Sequence, residues 1–334
     1  MTDTRTALQQ TLGTGLTLER ELTGGGMATV YVANDNALNR KVVVKVLPSE
    51  LAAAVSVERF KREILVSAAL QHPHIVPVLS SGEVDGLPFF IMPFIDGESL
   101  RTRLTRGPLS VKETVSIMRD VARALTYAHG RDVVHRDIKP DNILLTAGSA
   151  VVTDFGVAKA LRASQGANRS NRSITPGGTP AMITAHGIAI GTPAYMAPEQ
   201  AAGDPATDHR ADLYALGIVS WEMLTGTPPY HGLSPQQVMA SHMVNSPPPI
   251  GSRRYDVPVA LAAVVDQLLV KEPGNRTRSA ADLVRALENP AVVSGAFVPS
   301  PGRRTARRRL FWLAISVSLA VIAFAVYSLV IARR

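Results

Sequence analysis

The sequence predicts an α+β chain built as two lobes, a small strand-rich one followed by a larger helical one, with a single membrane-spanning helix after them. Three observations predict it. Runs of β-branched and aromatic residues crowd the stretch from Leu16 to about Phe94, helical periodicity dominates from Glu98 to Leu287, and Leu310–Ala332 carries no charge. The 334 residues are ample for a sizeable core, and a hydrophobic share of 46% excludes a mostly disordered chain.

In chain order, residues 1–15 read as a polar lead-in. Val30–Val32, Val42–Val46 and Phe89–Phe94 read as strands, and Ser56–Leu70 reads as a helix with Phe60, Ile64, Leu65 and Ala68 at helical spacing. Val111–His129, Ala211–Leu224, Val259–Leu269 and Ala280–Leu287 follow as helices, with a dense run of polar motifs between the first two. The two-lobe region covers 16–289, divided near 92 and 93, and the cleft this implies is a common place for a ligand. Residues 290–309 read as a linker ending in a basic stretch, 310–332 as the span and 333–334 as a short extracytoplasmic tail.

The formal net charge of +8 is local. Seven arginines, at 303, 304, 307, 308, 309, 333 and 334, bracket the uncharged run, and setting them aside leaves residues 1–302 nearly neutral. That distribution argues against nucleic acid as a partner, because no basic run is left to track phosphates. At about 1.5 Å per residue the run Leu310–Ala332 spans roughly 34 Å as a helix, enough for a bilayer core. Five arginines before it against two after it place the preceding chain in the cytoplasm, as a single-pass protein of the cell membrane, and the five could also attract anionic lipids. With no cysteine there is no disulfide scaffold, thiolate metal site or cysteine nucleophile.

The strongest local signal is His135-Arg136-Asp137-Ile138-Lys139-Pro140-Asp141-Asn142, followed after a short strand by Asp154-Phe155-Gly156. Phosphoryl transfer needs a carboxylate near the attacking hydroxyl, oxygen ligands for Mg²⁺ and a cation against the phosphates. Asp137, Asn142 and Asp154 can supply the first two. Further motifs accompany them in order: GGGMATVY (24–31), VVVK (42–45), HPHIV (72–76), GTPAYMAPE (191–199), DLYALG (212–217) and KEPGNR (271–276).

Together these motifs make the chain resemble a eukaryotic-type (Hanks-type) Ser/Thr protein kinase of bacteria from Leu16 to Leu287. The resemblance implies the bilobal protein-kinase-like fold, ATP and Mg²⁺, and protein hydroxyls as acceptors. It implies that Lys45 contacts the α- and β-phosphates and pairs with Glu63, that Asp137 orients the acceptor hydroxyl and takes its proton, and that Lys139 stabilises the transferring group. Asn142 and Asp154 would hold Mg²⁺, and Thr192 would join this group to the substrate loop. Around the nucleotide it places Thr23, Gly24, Gly25, Gly26, Ala28 and Val30 in the glycine loop, Val43 above the adenine, Met92, Pro93 and Ile95 at the hinge, and Leu144 among the nucleotide-binding residues. Thr23 and Ala28 stand where the family prefers Gly, Val43 where it has Ala, and Pro93 where Glu is common. Glu199 with Arg276 and Asp212 resemble architectural positions.

The segment between Gly156 and Ala197 is long for the family and rich in Ser, Thr, Asn, Gly and Arg from 162 to 187. Thr184, Thr179, Thr175 and Ser173 are the candidate phosphosites in it, Thr184 first, with Arg136 as the expected partner of a loop phosphate. The expected function is a membrane-anchored Ser/Thr kinase activated by autophosphorylation, with a homodimer as the means of phosphorylation in trans. A pseudokinase scaffold is the alternative, resting on Thr23, Ala28 and Val43. A small-molecule kinase of related fold is disfavoured by GTPAYMAPE.

Overall fold

The computed structural model describes residues 4–22, 28–48, 64–155 and 193–294. The first lobe is a five-stranded antiparallel sheet in the order β1-β2-β3-β5-β4, from β1 (Leu16–Leu22), β2 (Thr29–Asp35), β3 (Arg40–Val46), β4 (Ser80–Val84) and β5 (Leu87–Pro93). Strand alternation assigns its two faces. On β3, Val42, Val44 and Val46 are buried on one side, while Val43 and Lys45 lie on the other. The β4–β5 turn is Asp85–Gly86, both at positive φ (48° and 77°), the mirror-image two-residue turn that matches strand twist.

The lead-in contains a helix, α1 (Thr4–Leu12), whose Ala7 and Leu8 cover the Val42 face together with Leu18, Tyr31, Ala33, Phe89 and Ile91. Gln9 fastens it to β1: its Nε2 donates to the Leu16 carbonyl at 2.8 Å and its Oε1 accepts from the Leu18 amide at 2.8 Å. The opposite face packs Phe90, Met92 and Leu47 against Ile64 of a short helical stretch, α2 (64–68), and against Val151 from the second lobe.

The second lobe begins with α3 (Leu100–Leu104) and α4 (Val111–His129), the latter capped by Ser110, whose hydroxyl accepts from the Glu113 amide. Val115, Met118, Val121, Ala122 and Leu125 recur on its buried stripe. Next come α5 (Pro198–Ala201), α6 (Arg210–Thr225), α7 (Pro235–Val244), α8 (Val259–Leu268), α9 (Ala280–Leu287) and α10 (Ala291–Ser294). Every residue of α6 from Ala211 to Leu224 is buried. Gly217 lets α8 press against it, since a Cβ there would lie 2.8 Å from the Leu268 Cβ. Gly226, at φ +90°, ends the helix in the left-handed conformation that glycine adopts without strain.

A small sheet of β6 (Glu98–Ser99), β7 (Ile143–Thr146) and β8 (Ser149–Val152) lies on the lobe boundary. It is tied across that boundary by Val76 N–H to the Val152 carbonyl and Val152 N–H to the His74 carbonyl, both 2.9 Å. The expected strands are the cores of β2, β3 and β5, and the four expected helices are α4, α6, α8 and α9. At the start of the expected linker, residues 291–294 are helical because Val292 packs into the second lobe's core. The first part of the helix expected over 56–70, and the expected span 310–332, lie outside the described residues. Among the described residues no helix is long and apolar enough to cross a membrane.

Candidate active site

The polar motif after α4 is held in shape by one buried carboxylate. Asp212, near the start of α6, accepts from the His135 amide (2.9 Å) and the Arg136 amide (2.7 Å) and meets His129 Nε2 at 2.8 Å. Burial alone would raise its pKa; the His129 hydrogen bond and charge outweigh that and hold the carboxyl below the usual range. His135 is also fully enclosed. Its Nε2 lies 2.8 Å from the Thr153 carbonyl, so that nitrogen carries the proton, and its Nδ1 accepts from the Asp137 amide at 3.2 Å. The Phe155 ring packs edge-on against His135 at 4.6 Å. Arg136 and Asp154 both take positive φ, 67° and 68°, a conformation non-glycine residues hold only where their surroundings enforce it.

Three functional side chains converge on this frame. Asp137 Oδ2 lies 2.7 Å from Lys139 Nζ, and the Asn142 amide donates to the Asp137 carbonyl (2.8 Å) and carboxylate (3.1 Å). With the Asn142 nitrogen thus engaged, its oxygen is the end left for a cation. Across from them Lys45, projecting from the cleft side of β3, meets Asp154 Oδ2 at 2.5 Å. Burial alone would raise the Asp154 pKa, and the Lys45 ammonium outweighs it, keeping the group ionised. Next to this ion pair an apolar slot is formed by Val43, Ile95 and Leu144, partly exposed and packed on buried Met92. The Thr153 hydroxyl reaches the Met92 sulfur at 3.5 Å.

These groups fit ATP with a divalent cation. The slot offers two apolar walls for a flat base, Pro93 keeps its carbonyl and Ile95 its N–H for the base edge, and Lys45 offers a cation for phosphate. Among the described residues no group of three His, Cys, Asp or Glu is arranged to hold a metal ion by itself. Asn142 and Asp154 therefore suit a hard ion that completes its shell with phosphate oxygens and water. Val30 lies in β2 directly opposite Lys45, and Ala28 immediately precedes the strand. Thr23, Gly24, Gly25, Gly26, Glu63, Thr192 and the phosphosite candidates Ser173, Thr175, Thr179 and Thr184 lie outside the described residues.

Several contacts around the site are invisible in the sequence. Arg101 of α3 donates to Glu222 at 2.7 Å, reaches Asp141 at 3.3 Å and bonds the Tyr195 hydroxyl, which itself donates to Glu222 at 2.6 Å. Gln200 bonds the Arg136 carbonyl at 3.1 Å and accepts from the Ala197 amide. The stretch 195–200 is thereby tied to residues 136–141 at two points, through Arg101 and through Gln200. Behind it Arg276 spends all five N–H groups, on Glu199 (2.8 and 3.0 Å) and on the carbonyls of Val270, Arg210 and Lys271.

Comparison with known proteins agrees with this geometry. The model of the protein kinase domain matches residues 16–286. The serine/threonine-protein kinase PknB of Mycobacterium leprae is 40% identical over 266 residues, 78% of this chain and 40% of that protein. The serine/threonine-protein kinase PknD of Mycobacterium tuberculosis is 41% identical over 281 residues, 83% of this chain and 40% of that protein. This chain thus spans about two fifths of the length of these curated relatives. The crystal structure of the Mycobacterium tuberculosis PknI kinase domain superposes with a TM-score of 0.61 at 30% identity, over 82% of this chain and 95% of that one. With lobes, catalytic loop and family match in agreement, the chain belongs to the protein kinase domain family.

Proposed function

We propose that this protein is an active Ser/Thr protein kinase, transferring the γ-phosphoryl group of ATP to hydroxyls of protein substrates. The observation that carries the reading is the pairing of Asp137 with Lys139 and Asn142 on one side of the cleft and of Lys45 with Asp154 on the other. Asp137 accepts the proton of the acceptor hydroxyl as its oxygen bonds to the γ-phosphorus and the bond to the β-phosphate oxygen breaks. Lys139, already beside Asp137, follows the charge of the transferring group, and Lys45 exchanges part of its contact with Asp154 for the α- and β-phosphates. Asn142 and Asp154 would hold Mg²⁺, whose chemistry is to neutralise phosphate charge and align the γ-group.

Two finer readings accompany this one. The loop carrying Thr184, Thr179, Thr175 and Ser173 is autophosphorylated, in trans within a homodimer, and the phosphate orders the loop against Arg136. In support, the Arg136 Nε is buried without a partner among the described residues, a cost that an anion would relieve. The chain is also anchored in the cell membrane by 310–332 with the kinase on the cytoplasmic side, supported by the uncharged run and its arginine asymmetry.

The test is the full chain in mild detergent, incubated with ATP–Mg²⁺ and dephosphorylated casein and followed by intact mass. Wild type is expected to add phosphate to itself and to casein. Asp137→Asn is expected to lose at least about a thousandfold in rate while keeping its Mg²⁺-ATP thermal shift. Equal activity in the two would remove Asp137 from the chemistry; binding without transfer in wild type would favour the scaffold.

A further inference from the structure

A chain of polar side chains that the phosphoryl-transfer chemistry does not use ends on the backbone of the Pro193–Tyr195 turn. Lys271 Nζ is 2.9 Å from the Tyr214 hydroxyl and 3.3 Å from that of Tyr230. Tyr214 Oη is 2.9 Å from His242 Nδ1, and His242 Nε2 is 3.1 Å from the Ala194 carbonyl. Tyr214 and His242 are both fully enclosed.

The direction of each hydrogen bond follows from the end groups. A carbonyl only accepts, so His242 Nε2 carries a proton; the ammonium only donates, so the Tyr214 oxygen accepts from Lys271. The imidazole is neutral, since burial and the nearby Lys271 lower its pKa to about 4, and its bare Nδ1 accepts the Tyr214 proton. The donors therefore run one way, from Lys271 through Tyr214 and His242 to the backbone of the turn. On α7 the inward face is only Val238, Ser241 and His242. An apolar residue would fill the last position without the cost of desolvating two ring nitrogens, and the histidine offsets that cost only because both ends are bonded. What it adds is a fixed Ala194 carbonyl. The same turn is also held by Tyr195 with Glu222 and Arg101, and Arg101 reaches Asp141 of the catalytic loop.

We propose that the Lys271–Tyr214–His242 chain positions the Pro193–Tyr195 turn to receive the acceptor polypeptide, so that His242 is a positioning residue setting affinity for the protein substrate and not for ATP. This rests on the protein-kinase reading above. His242 touches neither nucleotide slot nor Asp137, so its effect is confined to the acceptor side.

The experiment compares the full-length wild type with His242→Phe, which keeps a ring and loses both hydrogen bonds, and with His242→Gln, which keeps one N–H for Ala194. Steady-state rates on dephosphorylated casein are measured against each substrate, alongside hydrogen exchange of the backbone over 193–201 and 143–152. For His242→Phe the KM for casein is expected to rise about tenfold, with the KM for ATP and kcat within about twofold of wild type. Exchange is expected to quicken over 193–201 and not over 143–152. His242→Gln is expected to return the casein KM to within about threefold of wild type. If His242→Phe does not fold, Tyr214→Phe removes one hydroxyl from the chain, with an expected rise of about threefold.

An unchanged casein KM in a folded variant would overturn the proposal. So would a parallel loss in ATP KM and kcat, or a glutamine no better than phenylalanine. If wild type phosphorylates nothing, the kinase reading fails and exchange alone decides: unchanged protection over 193–201 overturns the positioning role, and quickened exchange upholds it.

Discussion

Two buried carboxylates of the second lobe are arranged to stay charged, and His242 is arranged to stay neutral. Against the opposing effect of burial, Asp154 is held below the usual carboxylate range by Lys45, and Asp212 by its hydrogen bonds to His129 and the Arg136 amide, so they remain ionised through mild acid. His242 faces Tyr214, Tyr230, Lys271 and the Ala194 carbonyl, and only the carbonyl favours an imidazolium, too weakly to offset burial and Lys271. Its pKa falls from 6.5 to about 4, first through burial and then through Lys271. A base depressed in the folded state contributes stability that is complete above its unfolded pKa and is lost as pH falls towards the folded one. The share of stability that His242 contributes in urea unfolding is therefore expected to fall between pH 6.5 and about 4, by at most about 1.4 kcal/mol per pH unit. His242→Phe, less stable at pH 7.5, is expected to show a flatter acid limb; parallel curves would remove His242 from the acid response. At this scale the sequence brings Asp137, Lys139, Asn142 and Asp154 forward as candidates, because phosphoryl transfer demands those residue types within a short stretch. It does not disclose His242 or Arg101. Their partners lie 28 and 121 residues away in Tyr214 and Glu222, and no local pattern encodes such pairings.

Elements differ in how much of themselves they write into the sequence. β3 and α4 are legible because each has a buried face of large residues at strand or helix period. β1 is not, since a register shift between Leu18 and Arg20 breaks its alternation, and β4 is short and polar. The Asp85–Gly86 pair was the available signal for the β4–β5 hairpin. α1 hides for a different reason: it has a single large, fully buried residue, Leu8, too little for a periodicity. That residue nonetheless closes the outer face of the sheet from which Lys45 projects. Leu8→Ala is expected to cost about 2–4 kcal/mol in urea unfolding, the range for a fully buried leucine whose cavity cannot collapse against strands. A loss below about 0.5 kcal/mol would mean that α1 does not seal the sheet in solution.

At the scale of the whole molecule, charge is distributed unevenly along the chain. Residues 1–302 are nearly neutral, and the arginines that make the chain basic stand on either side of Leu310–Ala332. A protein held to lipid by arginines alone would leave the membrane in high salt, because that attraction decays within a Debye length of about 8 Å at physiological ionic strength. A spanning helix would not, since its apolar surface has no better solvent than the bilayer core. In cells expressing the full chain, the protein is expected in the membrane pellet after both 1 M salt and alkaline carbonate washes, whereas a variant lacking 310–334 is expected in the supernatant. Replacing Arg303, Arg304, Arg307, Arg308 and Arg309 by Ala is expected to leave the pellet intact and to scramble orientation, read by protease protection, because the excess of positive charge on the cytoplasmic side is then gone. Extraction of the full chain by salt would reduce the anchor to surface electrostatics. Tight retention of the deletion variant would move the membrane contact onto the kinase lobes.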